Sequence, residues 1–155
     1  MSLLFDTLIN FLEKDDWNFY RVKDDTIVKM VVSGENGEFV CYAEVEEMAE
    51  EDFGWFLFYS CSPVKVPEEK RQEMAEYITR ANYGLKIGNF ELDFRDGEVR
   101  YKTGIRIRED ELTHHILKNL IYPNLAMMDK YLPGMMKVIY GEIPPEEAIL
   151  EIEES

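Results

Sequence analysis

The chain has 155 residues and a formal net charge of −15, with nine Phe and nine Tyr available to fill a core. That length suits one domain. That charge excludes nucleic acid, whose phosphates it would repel, and an anionic membrane surface, and it suits a protein partner with a basic segment.

The opening MSLLFDTLINFLEKDD has no basic leader region and no small-residue cleavage site, so it does not read as a signal peptide. No apolar run approaches membrane-spanning length. A cytoplasmic chain is expected. Leu4, Leu8, Phe11 and Leu12 recur at helical spacing, which predicts an amphipathic helix over Ser2–Lys14, capped near Ser2. Three strands follow, Asn18–Lys23, Thr26–Ser33 and Glu38–Glu46, with turns at Asp24-Asp25 and Gly34–Gly37. In the third, Phe39, Cys41, Ala43 and Val45 share one face, and Val40, Tyr42 and Glu44 the other. An acidic loop, Glu46–Asp52, leads to Trp55–Cys61 (WFLFYSC), which is apolar on both faces and therefore expected to be covered on both.

Pro67 opens the next helix, whose stripe is Met74, Ile78, Ala81 and Leu85, with Gly84 as its stop. Phe90–Lys102 (FELDFRDGEVRYK) alternates apolar and charged residues about Asp96-Gly97, a two-residue hairpin signal. With that turn, Arg95 faces Glu98, Phe94 faces Val99, Asp93 faces Arg100, Leu92 faces Tyr101 and Glu91 faces Lys102. Every polar pair is then oppositely charged. Glu109–Tyr140 is helical, but Pro123 and Pro133 are expected to divide it into Asp110–Ile121, Pro123–Tyr131 and Gly134–Tyr140. The tail GEIPPEEAILEIEES carries a double proline and one or two acidic helical turns, which Ile149 and Ile152 either dock or leave exposed. The order α-β-β-β-β-α-β-β-α predicts an α+β fold, an antiparallel sheet of five to six strands with helices packed on it. The division expected is one domain over residues 1–141 and an acidic tail over 142–155.

Few residues suggest chemistry. Glu91 and Asp93 would be an acid/base pair only if desolvated, whereas the alternation gives each a cation opposite and water beside it. His114 and His115 are the only histidines, and neighbours on a helix diverge by about 100°, so sharing a metal would need further ligands from elsewhere. Asp110 and Glu111 fall four residues before them, on the same helical faces. The acidic loop Glu46–Asp52 lacks the alternating ligands and central glycine of a calcium loop. Cys41 and Cys61 lie in strands that leave open whether they face each other. In the cytosol both act as small reduced hydrophobes. Met127-Met128 and Met135-Met136 are core filler or an adaptable groove. No cofactor is expected.

The segment TRANYGLKIGNFELDFRDGEVRYKTGI resembles the signature of the YbjN family, bacterial proteins described as sensory transduction regulators. It has a helix ending in an Asn-containing turn, Gly88 and Phe90 opening a strand, a glycine turn, and the strand Glu98-Val99-Arg100-Tyr101. The likeness extends over most of residues 3–140. It implies a fold like that of type III secretion chaperones, often dimeric, and brings no catalytic residues. The function expected is a non-enzymatic regulatory or chaperone-like protein-binding domain. The alternative is a small metal-dependent hydrolase or other enzyme built on acidic residues. Trp55–Tyr59 is apolar on both faces while the hairpin keeps one face charged, so part of one sheet side is expected to be apolar and open. A homodimer whose contact includes Tyr42, Phe56 and Phe58 would cover it.

Overall fold

Strict alternation in the long strands divides the sheet into two unlike faces, and the rest of the fold follows from which face the helices take. A computed structural model describes residues 3–23, 26–48 and 52–155. The cap at Ser2, the Asp24-Asp25 turn and the middle of the acidic loop lie outside the described residues. The strands are β1 (Tyr20–Lys23), β2 (Ile27–Ser33), β3 (Glu38–Met48), β4 (Phe53–Cys61), β5 (Asn89–Leu92) and β6 (Val99–Arg108). They form one sheet in the order β1-β2-β3-β4-β6-β5, antiparallel at every pairing. The helices are α1 (Leu3–Lys14), α2 (Arg71–Gly84), α3 (His114–Met136) and α4 (Pro145–Glu153). This is the α+β architecture expected.

Phe39, Cys41, Ala43 and Val45 of β3 and Phe56 and Phe58 of β4 are buried on one face. Against them pack Leu4, Leu8 and Leu12 of α1 and Leu117, Ile121 and Met128 of α3, in one continuous core. α1 meets β3, α3 meets β4 and β6, and α2 meets β5, so the helices form a single layer on this face. Asn82, near the end of α2, finishes the sheet edge. Its Oδ1 accepts the Phe90 N–H at 2.7 Å, and its Nδ2 donates to the Phe90 carbonyl at 3.1 Å. One side-chain amide thus occupies the outward main-chain groups of Phe90, which would otherwise be open to pairing with another strand.

The prolines do not divide α3. It runs unbroken through Pro123 and Pro133 for 23 residues and continues into a π-helical turn, Lys137–Gly141. An interior proline deprives the carbonyl four residues back of its donor, and here donors arrive from outside the helix. Asn36 Nδ2 donates to the Asp129 carbonyl, the one Pro133 orphans, at 2.9 Å. Near Pro123, Thr103 Oγ1 donates to the Leu120 carbonyl at 2.7 Å. Tyr77 donates to the Tyr131 carbonyl at 2.8 Å. Gly134 lets the two helices approach this closely, since a Cβ there would fall 2.0 Å from the Tyr77 hydroxyl oxygen. α3 also begins later than expected. Thr113 caps it, accepting the Ile116 N–H at 3.2 Å.

The centre of α3 is fastened by a buried amide. Asn124 is fully buried, and its Nδ2 donates to the Phe58 and Tyr101 carbonyls, both at 3.0 Å, and to Thr103 Oγ1 at 3.2 Å. Its Oδ1 accepts from Ser60 Oγ at 2.5 Å. Four groups on β4 and β6 therefore converge on one side chain. A buried polar group costs little when satisfied and much when orphaned, and among the described residues every buried side-chain N and O atom has a partner.

The hairpin register differs from the two-residue turn by two positions. Phe90 pairs with Tyr101, Glu91 with Arg100 and Leu92 with Val99. Asp93 N–H donates to the Glu98 carbonyl at 2.9 Å, which leaves Phe94–Gly97 as a four-residue loop. A shift of two preserves faces, so Phe90 and Tyr101 remain inside, ring edge to face with centroids 4.7 Å apart. Phe94, expected against Val99, is exposed instead. The wider loop is favoured by local bonds: Asp93 Oδ1 accepts the Arg95 N–H at 2.8 Å, and Asp96 Oδ1 accepts the Glu98 N–H at 3.0 Å. Gly97 sits at φ +85° with its carbonyl accepting the Val66 N–H at 2.8 Å, and a Cβ there would lie 2.1 Å from the Val66 oxygen.

The acidic tail is docked. Pro145, Ala148 and Ile149 of α4 are buried, Ile152 packs partly against the core, and Lys137 pairs with Glu151.

Two stability predictions follow from these contacts. Asn124→Leu leaves the Ser60 hydroxyl and two buried carbonyls without their partner, at about 1–3 kcal/mol per orphaned group. Urea unfolding is expected to show a loss of about 3 kcal/mol, and a loss under about 1 kcal/mol would contradict the network's role. Gly97→Val meets both positive φ and the Val66 backbone, and is expected to cost about 2 kcal/mol or more. Glu91→Gln, a partly exposed ion pair, is expected to cost less than about 1 kcal/mol, and equal losses from the two would refute the assignment of faces.

Candidate binding surface

The sheet face away from the helices carries the alternate residues, and the register lays them out in rows. One row is Val31, Val40, Cys61 and Arg100. The next is Tyr20, Lys29, Tyr42, Tyr59 and Lys102. Then come Ile27, Glu44, Leu57 and Gly104, and after them Glu46, Trp55 and Arg106. Among the described residues no helix or strand lies over this face. Tyr20 is 55% exposed, Val31 52% and Trp55 37%, while Val40, Tyr42, Leu57 and Tyr59 are half-buried by their neighbours.

The cations here lie on aromatic rings. The Arg100 guanidinium stands 4.2 Å from the Tyr59 ring centre, and that of Arg106 stands 4.3 Å from Phe53. Lys29 lies between Tyr20 and Tyr42, 5.8 and 5.9 Å from their centres. Such contacts contribute about 0.5–1 kcal/mol at exposed sites. They seat charges among the rings, so the face is an aromatic surface interspersed with cations.

The carboxylates at the hairpin end have cationic partners. Glu91 accepts from Arg100 at 2.8 Å and from Lys102 at 2.9 Å. Partial burial pushes the Glu91 carboxyl up, but the hydrogen bonds from Lys102 and Arg100 outweigh it and hold it below the usual range. Asp93, bonded twice by Arg95, is held at about 2. Groups so stabilised as anions are poor proton carriers near neutral pH. The histidines separate: His114 packs edge-on against Phe11, with ring centres 5.5 Å apart, and His115 contacts Asn119. Because α3 starts at His114, Asp110 and Glu111 precede the helix and turn to Arg108, at 3.5 and 3.6 Å, instead of sharing helical faces with the histidines. Among the described residues no three His, Cys, Asp or Glu side chains are grouped to hold a metal ion.

Cys41 pairs with Ser60 and Cys61 with Val40, which puts the two thiols on opposite faces of the sheet. Burial raises both, Cys61 to about 11, so neither is a ready nucleophile. Met128 and Met135 are core residues, whereas Met127 and Met136 are partly buried.

Of the three contact residues expected, Tyr42 lies on the open face. Phe56 and Phe58 are fully buried on the helical face. The open face is carried by their strand neighbours Trp55, Leu57 and Tyr59. Both faces of β4 are rich in apolar residues, and its serine, Ser60, is buried, which is why spacing alone could not separate the faces. Parity had to come from pairing with β3, where Tyr42 lies opposite Tyr59.

The architecture, a six-stranded antiparallel sheet with helices packed on it, has a counterpart among solved structures. It is similar to a chain of the HopA1–SchA chaperone–effector complex, with a TM-score of 0.53 and 17% sequence identity, over 84% of this chain and 95% of that one. The sequence matches the family model YbjN, described as "Putative bacterial sensory transduction regulator", over residues 5–135, and the chain belongs to that family. No curated protein matches it. α4 lies beyond the matched residues.

The electrostatics predict one titration. Asp93 is expected to titrate at about 2 when followed by carboxyl NMR, and to return towards the ordinary value of about 3.9 in Arg95→Ala. Its folded value is depressed, so its stabilising contribution is present above the unfolded value and is lost as pH falls towards 2. An unchanged midpoint in the variant would remove Arg95 as the cause.

Proposed function

We propose that this chain is a non-catalytic, chaperone-like regulator that acts by holding polypeptide on the open face of its sheet. The observation that carries this reading is the uncovered patch that runs along β4 through Trp55, Leu57 and Tyr59, with Tyr42 opposite Tyr59. Contiguous apolar surface of this kind marks an interaction site. Membership of the YbjN family supports the reading, as does the likeness to a chain from a chaperone–effector complex. The cationic partners of Glu91 and Asp93 weigh against acid/base catalysis.

The first occupant we assign to this face is a second copy of the chain. A twofold contact would include Tyr42 with Leu57 and Tyr59, while Phe56 and Phe58 hold the strand from behind. The net charge of −15 favours a further partner with a basic segment. A cytoplasmic, bacterial setting is in keeping with the family description.

Light scattering at micromolar concentration is expected to give a dimer mass, and Leu57→Glu a folded monomer with an unchanged helical spectrum. Leu57→Glu is also expected to lose the wild type's ability to delay turbidity of reduced insulin chains. A monomeric wild type would refute the dimer. Equal protection by the variant would refute the open face as the polypeptide site.

A further inference from the structure

On the helical side of the molecule, a cleft of about 400 Å³ lies between the segment joining α2 to β5, the middle of α3 and the end of α4. Leu85, Ile87, Pro123 and Met127 make its apolar wall. Two exposed lysines, Lys86 and Lys130, also line it, and among the described residues neither has a carboxylate partner. Lys130 lies 5.5 Å from the centre of the Tyr131 ring. One carboxylate, Glu153, lines the cleft, and its Oε2 accepts the Tyr131 hydroxyl at 2.8 Å.

We propose that this cleft binds a small amphiphile with an anionic head, an alkyl or aryl carboxylate, its apolar body against Leu85, Ile87, Pro123 and Met127 and its head between Lys86 and Lys130. The volume suits such a ligand, since small-molecule sites run from about 300 to 1,000 Å³ and combine apolar walls with a few polar groups. The charge selects the head. Lys86 and Lys130 against Glu153 give the lining a net charge of +1, two ammonium groups and one carboxylate, in a chain of net charge −15. α4 contributes Glu153 at one side of the cleft and lies outside the family match. The site is separate from the open sheet face, and the inference does not depend on how that face is used.

The test is a heteronuclear NMR titration of the full chain with decanoate, kept below its micelle concentration. Saturable shifts are expected at Ile87, Met127 and Lys130. Lys86→Ala combined with Lys130→Ala changes only exposed side chains, and is expected to weaken binding about tenfold, as two exposed ion pairs would. Met127→Trp, which fills the cleft, is expected to abolish it. The cation decyltrimethylammonium is expected not to compete. Undiminished binding in the double variant, equal binding of the cation, shifts centred on Trp55 and Tyr59, or the lack of any saturable response would each overturn the proposal.

Discussion

The structure depends on where Asn124 is held. One amide in the middle of α3 reaches main-chain carbonyls of two adjacent strands and the hydroxyls of Ser60 and Thr103. Apolar packing alone would let a long helix slide or rotate over a flat sheet, because hydrophobic contact is non-directional. A buried amide does not slide, since every displacement orphans a donor or acceptor in a low-dielectric interior. The same side chain therefore sets the position of α3 and confines the helical layer to one face.

The two faces then take different roles. On one, Phe56, Phe58, Cys41 and Ala43 vanish beneath α1 and α3. On the other, the alternate residues of the same strands project with no helix above them among the described residues. Their rings are steadied by Arg100, Arg106 and Lys29. At the β5 edge, Asn82 occupies the main-chain groups of Phe90.

Much of this was legible in the sequence, and the misses have physical causes. The strands, the helices around them and the α+β class follow from period two and period three-to-four repeats, which burial imposes directly. Pro123 and Pro133 were read as breaks because local rules cannot see Asn36 arriving to serve the Asp129 carbonyl that Pro133 frees, or Thr103 bonding the Leu120 carbonyl beside Pro123. The hairpin slipped by two residues because Asp93 and Asp96 prefer their own Asx bonds to the tight turn that Asp96-Gly97 alone suggests. Tyr42 was placed on the exposed side by clean alternation in β3. Phe56 and Phe58 were assigned with it because the one hydroxyl that could mark parity in β4, Ser60, is itself buried on their face beneath Asn124. Asn124 left no signal, since a polar residue in a helical stretch reads as solvent-facing until the opposite surface is known.

The account's central claim is that the open face is the working surface of the molecule. Hydroxyl-radical footprinting at working concentration tests it directly, because the chain carries internal references: Tyr83 is 97% exposed and Tyr140 is 66% exposed, both away from that face. The account predicts strong labelling of Tyr83 and Tyr140 but protection of Tyr42, Trp55 and Tyr59 beyond their exposure in the single chain, and recovery of labelling on dilution. Labelling of Tyr42, Trp55 and Tyr59 in proportion to single-chain exposure at every concentration, with and without an unfolded client, would contradict it.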